Sequence, residues 1–192
     1  MRIRIAQEAA RLIAEQGMTD FYAAKRKAAR QLGAPDSHSM PRNREIEQAL
    51  AEYQRLFQAD SQATHLKALR EAACQAMRFL HRFSPRLVGS VLSGTAGSHS
   101  DINLHLFADT PEQVALFLME AHIPYDDGLR RMRLGRDRQV EFPVFGFRAG
   151  DFSVELMVFP RDGSREAPRS PVDGRPMKRA SLAELEALLA GV

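Results

Sequence analysis

Asp101 and Asn103 stand two residues apart in the alternating run DINLHLF. In an extended strand their side chains therefore leave the same face, with His105. Glu155 lies in a second alternating run, FSVELMVF, on the face of Ser153 and Met157. If the two strands are neighbours, three oxygen-bearing side chains converge, and such a set can hold Mg²⁺ or Mn²⁺. Glu141 in QVEFPVF is an equally plausible third carboxylate by composition alone. Upstream, the short apolar run RLVGS ends in Gly89-Ser90, and a small-residue loop leads to Ser100-Asp101. Backbone donors at such a turn can hold phosphate. The chemistry this order suits is metal-dependent phosphoryl or nucleotidyl transfer. Against it, each of these residues also has a plain structural role: Asp101 as a strand-entry residue bonding the loop backbone, Glu155 as a solvated side chain.

The elements that must position these residues change in texture along the chain. Residues 1–60 read as helices. Ile5, Ala9, Leu12 and Ile13 share one face of the first, which stops at Gly17; Thr19 or Asp20 caps a second that runs to Gly33. The segment APDSHSMPRN is a loop. A third helix covers about 44–57 and a fourth about 61–83. Residues 61–165 then carry the strands RLVGS and DINLHLF, a helix opened by Thr110-Pro111, and the strands LRRMRL, QVEFPVFGFRA and FSVELMVF. Ala149-Gly150-Asp151 should join the last two as a hairpin. Residues 166–192 form an extended basic segment and a short helix opened by a Ser181/Glu184 capping box.

The run GSVLSGTAGSHSDIN resembles the signature of the polymerase-β-type nucleotidyltransferase superfamily. That signature is an apolar strand, Gly-Ser, a short loop, then a strand opening on Ser-Asp, and Gly89 and Asp101 are twelve residues apart as in its small members. The resemblance covers roughly residues 65–160. It implies an α/β (α+β) fold, a nucleotidyltransferase-like mixed β-sheet flanked by helices, here with an N-terminal helical region. It further implies that Gly89 and Ser90 grip nucleotide phosphates. Asp101, Asn103 and Glu155 would be both the catalytic set and the ligands of Mg²⁺ or Mn²⁺, and an NMP would pass from ATP or another NTP to an acceptor. The family pattern has a carboxylate where this chain has Asn103, a neutral and weaker ligand. It also often has a basic residue just after Gly-Ser, absent here. The alternative is a catalytically inactive protein of this fold that binds RNA, another nucleic acid or a protein partner.

Five arginines, Arg130, Arg131, Arg133, Arg136 and Arg138, fall within nine residues. Arg131 and Arg133 share a strand face and can fork to phosphate, so they are the candidate nucleotide-binding pair; the competing reading is a charged hairpin that resists edge pairing. Arg169, Arg175, Lys178 and Arg179 form a second basic cluster, as a phosphate clamp or a surface tail. Lys25, Arg26, Lys27 and Arg30 charge one helix, where a solvated face is the commoner explanation. Among the histidines (His38, His65, His81, His99, His105 and His122), His99 and His105 lie close enough in sequence to Asp101 to touch phosphate or to line a polar cleft. No Cys partners or metal-type His spacing support structural zinc, and no P-loop or Gly-x-Ser-x-Gly elbow is present. The single cysteine, Cys74, fits a helix core and excludes an intramolecular disulfide. With 192 residues, 44% hydrophobic, a net charge of +3, no signal-peptide pattern and no long apolar run, the expectation is a folded cytoplasmic protein that does not enter membranes.

Overall fold

The computed structural model describes residues 1–34, 39–135 and 138–191, with the backbone alone at 59 and 60; His38 and Arg136 lie outside the described residues. The chain forms two compact units, Met1–Leu66 with Thr95–Ser100 and Pro171–Gly174, and Lys67–Gly94 with Asp101–Ser170 and Arg175–Val192.

In the first unit the helical spacing becomes α1 (Arg2–Gln16), α2 (Phe21–Gln31) and α3 (Asn43–Phe57). Gly17 ends α1 in the left-handed region at φ 65°, and Asp20 caps α2 by accepting from the Tyr22 amide at 2.8 Å. Ile5, Ala9 and Leu12 of α1 meet Ala24 and Ala28 of α2 and Ile46 of α3 in one cluster. The alanines let these helices approach closely, and burying each large aliphatic side chain contributes about 1.5–3 kcal/mol.

The fourth helix, α4 (Ala59–Phe79), stops earlier than its apolar pattern suggests. His81–Phe83 form a 3₁₀ turn that closes on Ser84 at φ 49°. Pro85 follows directly, so the right-handed helix could not have continued through Ser84.

The second unit is built on a five-stranded mixed sheet in the order β1-β2-β5-β4-β3. Its strands are β1 (Arg86–Val88), β2 (Ile102–Ala108), β3 (Asp126–Leu134), β4 (Arg138–Ala149) and β5 (Phe152–Pro160). The architecture is thus mixed α/β, a mixed sheet flanked by helices, with a helical N-terminal region. The one-turn helix α5 (Ser90–Ser93) follows β1, α6 (Pro111–Glu120) packs on β2 and β5, and α7 (Leu182–Ala190) opens on the Ser181/Glu184 box. The central strands β2 and β5 run parallel. Leu104, Leu106, Val154, Leu156 and Val158 in them are buried to 3% exposure or less, as central parallel strands require. Gly150-Asp151 join β4 to β5, with Ala149 opposite Phe152. β3 starts three residues before the run LRRMRL because it is an edge strand. Its mostly exposed residues carry no apolar alternation, and only pairing to β4 reveals them. The segment after β5 is tied down by a bridge between Leu87 and Ala180.

Candidate functional site

Register decides which side chains meet. Residues directly opposite across a ladder share a face. Val88 is opposite Asn103, Asn103 opposite Glu155, Glu155 opposite Gly146, and Gly146 opposite Asp126. Asn103 and Glu155 therefore stand side by side on one face. Asp101, at the entry to β2, is near enough for its charge to act on the Glu155 carboxyl. Gly89 completes this patch. It sits at φ 76°, ψ −155°, a backbone region open essentially to glycine. A Cβ on it would come within 3.6 Å of Asn103 Nδ2, so the turn and the amide are in close approach. Ser90, half-buried, opens α5 immediately after. The Asn103 Nδ2 donates to the Asp101 carbonyl at 3.1 Å.

The arginines divide by parity. Arg131 lies opposite Glu141 and pairs with it at 2.9 Å on the other face of the sheet, where Arg133 also points. Glu141 is therefore not on the Asp101 face. Arg130 is on it: its Nη2 donates to Glu155 Oε2 at 2.6 Å, reaching across β4. Two residues on that face, Gly128 of β3 and Gly146 of β4, carry no side chain to obstruct the reach. Burial pushes the Glu155 carboxyl above its usual range; Arg130 pulls it down and the Asp101 charge pushes it up, with a net rise.

Three oxygen donors, Asp101, Asn103 and Glu155, thus share one patch. Among the described residues no three His, Cys, Asp or Glu side chains gather as a metal site. Two carboxylates and one amide, with Arg130 paired to Glu155, make a donor set that could hold at most one Mg²⁺ or Mn²⁺ ion, for which Asp101, Asn103 and Glu155 would be the ligands. It does not suit the pair of ions that three carboxylates would hold.

His105, two residues beyond Asn103 on the same face, is 2% exposed and does not line an open cleft. Its Nδ1 accepts from Arg179 Nε at 3.0 Å and its ring packs on Phe159. Burial, then the Arg179 charge, pushes its pKa down to about 3, so it is neutral near pH 7. His99 belongs to the first unit, where its ring lies against Gly17. Cys74 is buried. Lys25 and Lys27 bond to Asn43 and Gln16 within the first unit. Arg169 is tied to Gly135 O at 2.7 Å. Arg130 is the residue that sequence reasoning passed over in favour of Arg131 and Arg133. The signal that would have found it is its parity with Gly128, which is usable only once the β3–β4–β5 register is known.

No family model matches this chain, and no curated protein matches it. Among solved structures, the Cid1 poly(U) polymerase with MgGTP bound aligns at 21% identity over 49% of this chain, with a TM-score of 0.33. The chain spans about a third of that protein's length, 32%. A likeness of that size establishes neither fold nor activity here. No helix among the described residues is long and apolar enough to cross a membrane.

Proposed function

We propose that the second unit is a nucleotidyltransferase-type domain that binds a nucleoside triphosphate with one Mg²⁺ (or Mn²⁺) ion and transfers the NMP to a hydroxyl or phosphate acceptor, the α–β phosphoanhydride bond breaking and pyrophosphate leaving as the bond to the acceptor forms. The observation that carries this reading is the convergence of Asp101, Asn103 and Glu155 on one face beside the left-handed Gly89 turn. Gly89, lacking a side chain, leaves the backbone amides at Ser90 free to approach phosphate oxygens, and the Ser90 hydroxyl adds a further donor. Asp101 would hold the ion, Asn103 would contribute a neutral ligand, and Glu155 would be the third ligand if freed from Arg130. The ion, when bound, supplies positive charge beside the phosphates. Arg130, freed from Glu155, is placed on the same face to receive a phosphate oxygen; Arg131 and Arg133 would require phosphates that reach round to the opposite face.

The test is calorimetric titration of the full chain with each of the four NTPs in MgCl₂, followed by turnover with α-labelled NTPs. The Mg²⁺-dependent part of the binding should vanish in Asp101→Ala and weaken in Ser90→Ala. Mg²⁺-dependent binding unchanged in both variants overturns the site.

A second reading is favoured by Asn103 and by the Arg130–Glu155 pair, which together remove two negative charges from the patch. In it the domain keeps the architecture without turnover and binds RNA, another nucleic acid or a protein through its basic strands. Steep loss of affinity for RNA with rising salt, without NTP turnover, selects this reading; NTP turnover gained in Asn103→Asp would mark a decayed enzyme.

A further inference from the structure

At the opposite end of β1 and β2 from the Asp101 patch, the second unit has a groove of about 530 Å³ lined by four arginines, Arg82, Arg86, Arg161 and Arg179, with Ser84 and Ser164. The lining contains no acidic residue. It is assembled from distant segments: the 3₁₀ turn before β1, β1 itself, the 3₁₀ turn after β5 (Arg161–Ser164) and the segment leading to α7.

Arg179 is its back wall. The guanidinium lies 5.0 Å from the Phe107 ring centre and 4.8 Å from that of Phe159. Its Nε donates to His105, and its Nη1 donates to the carbonyls of Gly163 at 3.1 Å and Ser164 at 3.3 Å. Each of these partners is neutral. Nη2 is buried and has no hydrogen-bond partner among the described residues. Burial, and then the charge of Arg86, lower the Arg179 pKa to about 10. A half-buried cation with neutral acceptors and a second cation beside it is an uncompensated charge, which proteins ordinarily meet with a counter-ion.

The other three are partly compensated. Arg161 pairs with Asp109 at 2.8 Å, both largely exposed. Arg86 acts electrostatically on Glu184. Arg82 lies over Phe83 and Phe117. Ser84, between Arg82 and Arg86, is held in the left-handed region that non-glycine residues rarely adopt, and such strain persists where the surroundings impose it.

We propose that this groove is an anion site for a ligand bearing two or more linked phosphates, separate from the Asp101 patch. Guanidinium forks match phosphate oxygens bidentately. With Arg161 paired to Asp109, the other three still supply more charge than one phosphate of about −2 can neutralise, and the volume falls in the range of sites that hold nucleotide-sized ligands. This inference does not rest on nucleotidyl transfer. The two sites lie four residues apart along β2, from Asn103 to Phe107, or about 13 Å at the rise of a strand.

The experiment titrates the full chain with phosphate, pyrophosphate and tripolyphosphate by calorimetry, in EDTA and at constant ionic strength. Tripolyphosphate should bind at least tenfold more tightly than phosphate. Arg161→Gln should weaken tripolyphosphate several-fold and Arg86→Gln combined with it at least tenfold, while Asp101→Ala changes nothing. Arg161 is exposed, so Arg161→Gln leaves the core intact and keeps the test decisive even if the double variant fails to fold. Absence of tripolyphosphate binding, affinity unchanged in Arg161→Gln, or affinity lost in Asp101→Ala overturns the proposal. Loss of NTP turnover with tripolyphosphate binding intact would sink the transfer reading alone.

Discussion

His105 makes the stability of the second unit depend on acid in a way that can be worked out. The imidazole is 2% exposed, and its pKa falls from an ordinary 6.5 to about 3. Between those two values the unfolded chain takes up a proton that the folded chain refuses. Stability therefore drops as pH falls through that window and is recovered above about 6.5. At pH 4.5 nearly every unfolded molecule carries the proton and few folded ones do, a loss on the order of 3 kcal/mol relative to pH 7. His105→Leu abolishes the titration. It also deprives Arg179 Nε of its acceptor, a cost of roughly 1–3 kcal/mol that stays constant across the window because Arg179 remains charged. The variant should thus be less stable at pH 7, and the gap should close towards pH 4.5. Because the chain has no tryptophan, far-ultraviolet circular dichroism in urea is the suitable probe. The His105 ring protons in NMR give a second readout and should not move between pH 8 and 4.5. Parallel stability–pH curves for the two proteins, or an imidazole titrating near 6.5, would refute this reasoning.

Arg130→Ala removes the cation bonded to Glu155, so the Glu155 carboxyl should titrate higher still in carbon-detected NMR, and Mn²⁺ should bind more tightly by EPR once the carboxylate is free. Gly89→Ala forces a side chain into φ 76°, which costs about 1–3 kcal/mol in urea unfolding and should reduce NTP binding. Asp20→Ala removes the acceptor for the Tyr22 amide and should lower the stability of the first unit by about 1 kcal/mol, with no effect on ligand binding. Leu104→Ala, at a fully buried central position, should cost about 2–5 kcal/mol.

What was legible in the sequence was whatever depends on neighbours within a few residues. The phase of Asp101 and Asn103, the alternation around Glu155, the Gly150-Asp151 turn and the Ser181/Glu184 box all depend on spacings of two or three residues, and each appears in the structure. Pairing of β2 with β5 needed an assumption, because about fifty residues separate Asn103 from Glu155. Where the sequence offered only composition, it could not choose between faces. Arg130 and Arg131 are consecutive and chemically alike, yet one bonds Glu155 and the other Glu141 across opposite sides of the sheet. That difference is fixed by a register between strands, which no local pattern encodes.

His105 shows the same limit from the other side. Alternation places it with Asp101 and Asn103 on a polar face, and an open cleft follows if that face is uniform. It is not uniform. Phe107, Phe142, Met157 and Phe159 cover its far half with an apolar cluster, and Arg179, from a basic segment that reads as either a phosphate clamp or a surface tail, closes over His105 and Phe107. One sheet face therefore carries two opposite electrostatic situations. At the Asp101 end, carboxylates crowd until an internal guanidinium neutralises one of them. At the Arg179 end, guanidiniums crowd with no carboxylate in the lining. Folding resolves the first imbalance and only part of the second: Arg161 and Arg86 have carboxylates near them, while Arg179 has neutral acceptors alone, so Arg179 is the part of this face that calls for a counter-ion from outside the chain.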